Sequence, residues 1–101
     1  MAAEAELWGH CKTWLRQEYD GRLKKVEPSG DNGFPDGIIL IPCCAPIFAE
    51  FKSPRGGVSS TRQRQWADWL KKSGFNFMLV NEFEIFKLAI AAYVIAETEE
   101  L

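Results

Sequence analysis

Two carboxylates and a lysine stand around a short apolar part of the sequence. Asp36 comes directly before an apolar run, and Glu50 and Lys52 flank Phe51 near the end of the next one. Because alternate residues of a β-strand point to the same face, Glu50 and Lys52 would project together while Phe51 points into the core. If the intervening turn pairs Asp36 with either of them, the two acids and the lysine meet on one face of a sheet.

This combination of side chains is suited to metal-assisted hydrolysis of a phosphodiester. Two neighbouring carboxylates repel each other unless a cation lies between them, and their oxygens are ligands that suit Mg²⁺ or Mn²⁺. Such an ion polarises a phosphoryl oxygen and lowers the pKa of a bound water. Lys52 would position or help to activate that water, or stabilise the charge that develops on the phosphate.

Each of these residues taken alone also has a structural interpretation. Asp36 follows a proline and is typical of a turn, and Glu50 and Lys52 are compatible with an ion pair on a solvated edge strand. Glu50, however, stands within the apolar sequence Ile47-Phe-Ala-Glu-Phe, which favours burial. Because a buried acid needs a partner or a metal, the three residues together favour the catalytic interpretation.

Positive charge is concentrated in the part of the chain that begins at Lys52. The chain has a formal net charge of −2, whereas residues 52–72 contain one acid, Asp68. The basic residues of this range are Lys52, Arg55, Arg62, Arg64, Lys71 and Lys72. This asymmetry predicts a surface for phosphate groups, although arginines on a helix more often form a solvated face. The spacing of Trp66 and Trp69 in the same range favours core packing over base stacking.

The elements that must position these residues follow from hydrophobic periodicity and turn formers. The predicted order is αβββαβα, an α/β fold with one mixed β-sheet flanked by helices. Helices are expected at 3–19, from Ser59 or Ser60 to about Ser73, and from 82 onward, and strands at 22–27, 37–41, 47–52 and 75–81.

Details of these elements can also be predicted. Gly21 and Gly74 are expected to end the first two helices in a left-handed conformation. The strand at 37–41 is expected to be buried on both faces, and the strand at 75–81 to be buried as well. Residues 28–33 are dense in turn formers and predict a loop.

Length and composition restrict the class of protein. The chain has 101 residues, 47% of them hydrophobic, which predicts one domain spanning 1–101. No apolar run approaches the ~20 residues of a membrane span, and the N-terminus lacks the pattern of a signal peptide. Three cysteines and a single histidine argue against disulfides and a zinc site. We therefore expect no membrane association and a cytoplasmic location, in the host cell if the protein is phage-encoded.

The motifs around the candidate residues resemble a known nuclease core. Gly33-Phe-Pro-Asp36, followed by Glu50-Phe-Lys52, resembles the restriction-endonuclease-like core of PD-(D/E)XK nucleases, and more specifically their VRR-NUC branch. The helix start Ser60-Thr-Arg-Gln63 and the pair Lys25-Val26 are similar to further parts of that branch. The resemblance covers about residues 4–81. E-x-K alone is a weak signal, whereas its combination with Pro-Asp and the downstream Gln is specific.

The resemblance implies a Mg²⁺- or Mn²⁺-dependent DNA endonuclease. In the pattern of the family, Asp36 and Glu50 would bind the metal together with the carbonyl of Phe51. Lys52 would be the catalytic lysine, and Gln63 would complete the site.

The resemblance also implies a glutamate on the first helix as a further metal ligand. Glu4 and Glu6 both qualify. Glu4 is preferred, because its spacing to Leu7 and Cys11 puts it at the edge of the buried face.

The resemblance also implies binding partners for this protein. Small stand-alone members resemble Holliday-junction resolvases that act as homodimers on branched DNA such as four-way junctions, and symmetric cleavage of a junction needs two subunits. The broadly apolar last helix would then pack on the sheet, form the dimer interface, or do both. The residues expected to contact DNA are Lys25, Lys52, Arg55, Arg62 and Arg64. The alternative function is a non-catalytic nucleic-acid-binding module on the same scaffold.

Overall fold

The elements of the fold follow one another in the predicted order. The structure, a computed structural model, describes residues 2–26, 33–54 and 56–99. Within these residues the order is α β β β α β α, which confirms the predicted fold class. The helices are α1 (Ala2–Tyr19), α2 (Thr61–Lys72) and α3 (Phe83–Thr98), and the strands are β1 (Arg22–Lys25), β2 (Gly37–Leu40), β3 (Ile47–Phe51) and β4 (Asn76–Val80).

The four strands form one mixed sheet in the order β1-β2-β3-β4. β1 and β2, and likewise β2 and β3, are antiparallel neighbours, whereas β3 and β4 run parallel. A parallel pair needs a crossover connection, which α2 supplies. The register pairs Gly37 with Ala49, so Asp36 lies one position beyond the ladder, across from Glu50.

Helices lie on both faces of the sheet. The ring of Phe51 packs against Trp8 of α1 with centroids 4.7 Å apart, whereas the side chain of Glu50 contacts Ser59, just before α2. Because successive strand residues point to opposite faces, α1 and α2 must lie on opposite faces. The buried core includes apolar residues of α1, the strands and α3, among them Leu15, Ile39, Phe51 and Ile90.

Two predicted details of the strands are wrong. In β2, Leu40 is 40% exposed, and in β4, Leu79 is 49% exposed, so neither strand is buried on both faces. Among the strands that the structure describes, β4 lies at an edge with β3 as its neighbour, and of its residues only Val80 is buried. A run of apolar residues thus marks a strand without showing that both of its faces are covered.

The C-terminal ends of the first two helices follow the predicted pattern in one case only. Gly74 has a positive φ of 88° just after α2, as expected. After α1 the left-handed residue is Asp20 with φ 55°, not Gly21. Aspartate tolerates this conformation better than most side chains, and here its carboxylate accepts a hydrogen bond of 2.9 Å from Arg22.

Some predictions fall on residues that the structure does not describe. The predicted loop at 28–33 lies outside the described residues except for Gly33, and so does the predicted strand end at Glu27. Among the described residues, no helix has the length and apolar character needed to span a bilayer.

Candidate active site

Asp36 is held between the strands at the end of the β2–β3 ladder. Its Oδ2 accepts a hydrogen bond of 2.7 Å from the main-chain N–H of Phe51. Its own carbonyl accepts the N–H of Val26, which follows β1, at 2.9 Å. Asp36 is therefore fixed both to the end of β1 and to the end of β3, and its carboxylate reaches the residue that separates Glu50 from Lys52.

Glu50 is the buried charged group of this site. The residue is 2% exposed, and among the described residues it is the one polar or charged residue that is buried. Its Oε2 accepts a hydrogen bond of 2.9 Å from Ser59 Oγ. Its Oε1 has no hydrogen-bond partner among the described residues. A buried carboxylate oxygen without a partner is destabilising unless a donor or a cation compensates it.

Lys52 is oriented by the N-terminus of α2. Its Nζ donates a hydrogen bond of 2.8 Å to Gln63 Oε1 and lies 3.9 Å from Glu50 Oε2. Gln63 Oε1 also accepts the N–H of Ser60 at 2.8 Å, and the N–H of Gln63 donates to Ser60 Oγ at 3.1 Å. This reciprocal pair is the capping box of α2, so the cap that starts the helix also positions the ammonium group.

Glycine at two positions allows close packing around the candidate site. Gly33 has a φ of +92°, and a Cβ atom there would lie 2.7 Å from the main-chain carbon of Arg62 at the start of α2. A Cβ atom at Gly37 would lie 2.7 Å from the ring of Trp8. Both distances are too short for any side chain. Glycine therefore lets the segment 33–37, which carries Asp36, approach α2 at one end and α1 at the other.

The structure brings together four of the residues predicted from the sequence. Asp36, Glu50, Lys52 and Gln63 are joined by a continuous set of contacts around the main chain of Phe51. Their catalytic roles, and the role of the Phe51 carbonyl as a metal ligand, stay predictions.

The predicted glutamate of the first helix is not joined to this set by any hydrogen bond or ion pair among the described residues. Glu4 lies half-buried in the first turn of α1, and Glu6 is exposed. The described residues contain no group of three or more histidine, cysteine, aspartate or glutamate side chains arranged to hold a metal ion. Glu4 as a further ligand therefore stays a prediction.

The predicted DNA-binding residues are divided between the two faces of the sheet. Lys25 Nζ lies 5.6 Å from the ring centroid of Trp8, on the face of α1. Arg62 and Arg64 belong to α2, and Arg64 donates a hydrogen bond of 2.6 Å to the carbonyl of Ser59. Arg55 lies outside the described residues.

Ser59 is a site residue that the sequence interpretation missed. The sequence offers Ser59 and Ser60 equally as helix caps, and the structure gives that role to Ser60. Ser59 instead donates to the buried carboxylate of Glu50. The sequence does contain a signal for this role. Two serines stand before α2, and because one helix needs only one N-cap, the other serine is available for a different contact.

The donor set can be tested against the divalent ion that the sequence motif implies. Mg²⁺ is typically bound by one or two carboxylates, with waters and substrate phosphates as the other ligands. Asp36 and Glu50 supply two carboxylates at the end of β3. Ser59 and Lys52 are within contact distance of Glu50 Oε2 only, which leaves the buried Oε1 for another ligand. The residues present therefore fit a site for Mg²⁺ or Mn²⁺ that substrate helps to complete.

Comparison with solved structures identifies the fold. A structure described as "VRR_NUC domain" superposes with a TM-score of 0.80 at 22% identity, covering 90% of this chain and 97% of that one. A second, described as "VRR_NUC domain protein", gives a TM-score of 0.72 at 18% identity, covering 91% of this chain and 88% of the other. Comparisons with protein-family models and with curated proteins found no match. At these identities the likeness concerns the fold, and this chain has the fold of those VRR_NUC domains.

Proposed function

We propose that the protein is a Mg²⁺- or Mn²⁺-dependent endonuclease that hydrolyses phosphodiester bonds in branched DNA, such as four-way junctions. The observation that carries the proposal is the carboxylate of Glu50, which is buried and has one oxygen without a partner among the described residues. A divalent cation is the ligand that best compensates such an oxygen. The fold of VRR_NUC domains supports the nuclease class.

The residues of the site have distinct parts in the proposed reaction. Asp36 and Glu50 would hold the ion together with the carbonyl of Phe51. When bound, the ion polarises a phosphoryl oxygen and lowers the pKa of a water. Lys52, whose Nζ is held by Gln63, would orient the attacking water or stabilise the negative charge that develops on the phosphate.

DNA would approach the face of the sheet that carries α2. Arg62 and Arg64 lie on this helix, and Lys71 and Lys72 lie in its last turn. Contacts from such residues to phosphates give affinity without reading base sequence. We therefore expect selection by the shape of the DNA, which is consistent with a branched substrate. Lys25, on the face of α1, would contact only a DNA arm that passes around the edge of the sheet.

A homodimer is part of the proposal. Ile85, Leu88 and Ile95 of α3 are 61%, 73% and 62% exposed, and their spacing places them along one side of the helix. A second copy covering this side would bury the three residues and supply the second active site that symmetric junction cleavage requires. Sedimentation of the wild type and of Leu88→Glu tests this, and a wild type that stays monomeric at high concentration contradicts it.

The cysteines support a cytoplasmic location. All three are free. Burial raises the pKa of the Cys11 thiol to about 12, which keeps it protonated and unreactive. Cys43 is exposed, and an exposed unpaired thiol is typical of a reducing compartment.

Cleavage of defined DNA tests the central proposal. Synthetic four-way, flap and linear DNA are incubated with protein and Mg²⁺, Mn²⁺ or a chelator. Cleavage is expected only with the metal and first in the four-way substrate. Glu50→Gln should abolish it, whereas Glu18→Gln, an exposed position on α1, should leave it unchanged. Cleavage that persists in chelator or in Glu50→Gln contradicts the proposal.

One observation favours the alternative, a non-catalytic nucleic-acid-binding module. The described residues bring no third carboxylate to the candidate metal site, and a module that only binds DNA needs none. The alternative predicts salt-sensitive binding to junction DNA without turnover in any metal. The same cleavage assay therefore separates the two functions.

A further inference from the structure

An aromatic groove runs along α2 beside the candidate active site. It has a volume of about 360 Å³ and is lined by Arg62, Gln65, Trp66 and Trp69. These four residues recur at the spacing of one helix face. Trp66 contacts Phe34, two residues before Asp36, and Arg62 immediately precedes Gln63, which holds Lys52, so one end of the groove lies near the site. Its volume lies within the range of about 300–1,000 Å³ found for small-molecule sites.

The two tryptophans of the groove stand nearly perpendicular to each other. Their ring centroids are 5.9 Å apart and their planes differ by 82°. Trp66 is held by an edge contact with Phe34 at 4.9 Å, and Trp69 stacks on Phe75 at 5.9 Å. A flat ligand that stacks on one indole would therefore lie nearly perpendicular to the other, and neighbouring aromatic rings pack against both indoles.

Trp69 departs from the core packing that its spacing predicts. Trp66 is half-buried, whereas Trp69 remains 54% exposed even though it stacks on Phe75. Phe75 itself is 49% exposed. Large aromatic surface left in water is unfavourable unless a ligand covers it.

The charge around the groove restricts the chemical class of ligand that could cover it. Arg62 lines the groove, and its positive charge would repel a cationic ligand while attracting an anion. Lys71 and Lys72 follow at the far end of the helix, and Asp68 is the acidic residue of α2. The matching ligand is planar and aromatic and carries a negative charge beside its ring. A nucleotide has all of these properties, and an apolar face of a second protein chain lacks the charge.

We propose that this groove binds an unpaired nucleobase of the DNA substrate, stacked on Trp69, while Arg62 contacts the adjoining phosphate. The inference rests on the proposed function, since it names the kind of DNA that reaches the same site. Bases of an intact duplex are already stacked on each other, whereas the unpaired bases of a branch point, flap or single strand are free to stack on protein rings. The groove thus favours DNA with unpaired bases over plain duplex.

Binding of single-stranded DNA with and without bases tests the inference. The probes are a labelled oligothymidylate and an abasic oligonucleotide of the same length, both measured by fluorescence anisotropy in chelator and at one salt concentration. Wild-type protein should bind the abasic strand about tenfold more weakly, the size typical of one base–aromatic stack. Trp69→Ala should bring this ratio near one, and Trp69→Phe should largely restore it.

An arginine variant separates stacking from charge. Arg62→Ala should weaken binding of both probes equally and leave the ratio of their Kd values unchanged, because a phosphate contact does not depend on the base. Circular dichroism confirms folding of each variant, and the exposure of Trp69 makes its replacement tolerable.

Two results would overturn the inference. One is equal affinity of the wild type for the two probes, or a ratio that Trp69→Ala leaves unchanged. The other is a wild-type dimer that Trp69→Ala dissociates, which would assign the groove to a second copy. Neither result bears on metal-dependent cleavage, because that activity is read from Glu50→Gln with duplex and branched DNA.

Discussion

The carboxylate of Asp36 is bonded to the main chain of Phe51, the residue that separates Glu50 from Lys52. The Oδ2 atom accepts the N–H of Phe51 at 2.7 Å. Asp36 lies one position beyond Gly37, and Phe51 two positions beyond Ala49, the last pair of the β2–β3 ladder. Asp36 thus has two roles. Its structural role is to end the β2–β3 ladder, and its proposed chemical role is to bind a cation. The two roles make different demands on the side chain and can be separated by substitution.

Asp36→Asn is expected to keep the fold and lose cleavage. The amide oxygen of asparagine can accept the N–H of Phe51, but the side chain brings no negative charge to the metal. Asp36→Ala removes the acceptor as well and should cost about 1–3 kcal/mol of unfolding free energy. Urea unfolding and DNA cleavage measure the two effects. Full cleavage by Asp36→Asn would remove Asp36 from the metal site. Equal destabilisation by Asp36→Asn and Asp36→Ala would argue against a structural role for the hydrogen bond from Phe51.

Glu50→Gln is expected to abolish stabilisation by metal. In the wild type, an ion bound at the Glu50 carboxylate should raise the melting temperature, by the equivalent of about 2.7 kcal/mol when its concentration is about 100 times Kd. The variant should show no rise with Mn²⁺. In chelator it should be at least as stable as the wild type, because the substitution removes a buried carboxylate with one oxygen that no described residue hydrogen-bonds. Differential scanning fluorimetry measures both quantities. An equal rise in both proteins places the ion elsewhere.

Most of the site geometry was accessible from the sequence because it depends on strand alternation and hairpin register. Those two rules put Glu50 and Lys52 on one face and bring Asp36 opposite. What they do not give is the depth of burial of Glu50, since that depends on how α2 and its preceding loop cover the sheet. The exposure of Leu79 has the same origin, because β4 is an edge strand whose neighbours are decided by the whole topology.

The role of Ser59 as a donor to Glu50 could not be predicted for a different reason. Adjacent serines before a helix are equivalent in sequence, and the choice between them depends on which one comes within reach of Gln63 and which of Glu50. If α2 began one residue earlier, Ser59 would be the N-cap in place of Ser60. Local patterns determine helix ends only to within a residue or two, which is too imprecise to distinguish two adjacent serines.

Alanine substitutions at these two serines should therefore affect different properties. Ser60→Ala removes the side-chain cap of α2 and should lower the free energy of unfolding by about 1 kcal/mol. Ser59→Ala removes the donor to Glu50 Oε2, so its main effect should be on cleavage and on metal affinity. Ser59→Thr keeps a hydroxyl and serves as the matched control. Urea unfolding together with single-turnover cleavage tests this, and equal profiles for the two alanine variants would contradict it.

Tyr93 makes a pH-dependent contribution to stability at the other end of β3. Its phenol donates to the carbonyl of Ala45 at 2.6 Å and accepts a hydrogen bond of 3.0 Å from Asn76, which joins α3 to the turn between β2 and β3. Burial first, and then the negative charge of Glu97, raise the pKa of Tyr93 to about 12. The phenol of an unfolded chain has a pKa of about 10.

The free energy of unfolding should consequently fall as the pH rises from about 10 to about 12. In this range the folded protein keeps a proton that the unfolded chain has released, so each increase in pH favours unfolding, whereas below about 10 the contribution of Tyr93 is fully present. Tyr93→Phe has no phenol to ionise and should show a shallower decline, which separates this effect from lysine titration. Urea unfolding at several alkaline pH values gives both slopes, and Tyr19→Phe is the matched control. Parallel slopes for the wild type and Tyr93→Phe would show that the phenol titrates normally in the folded protein.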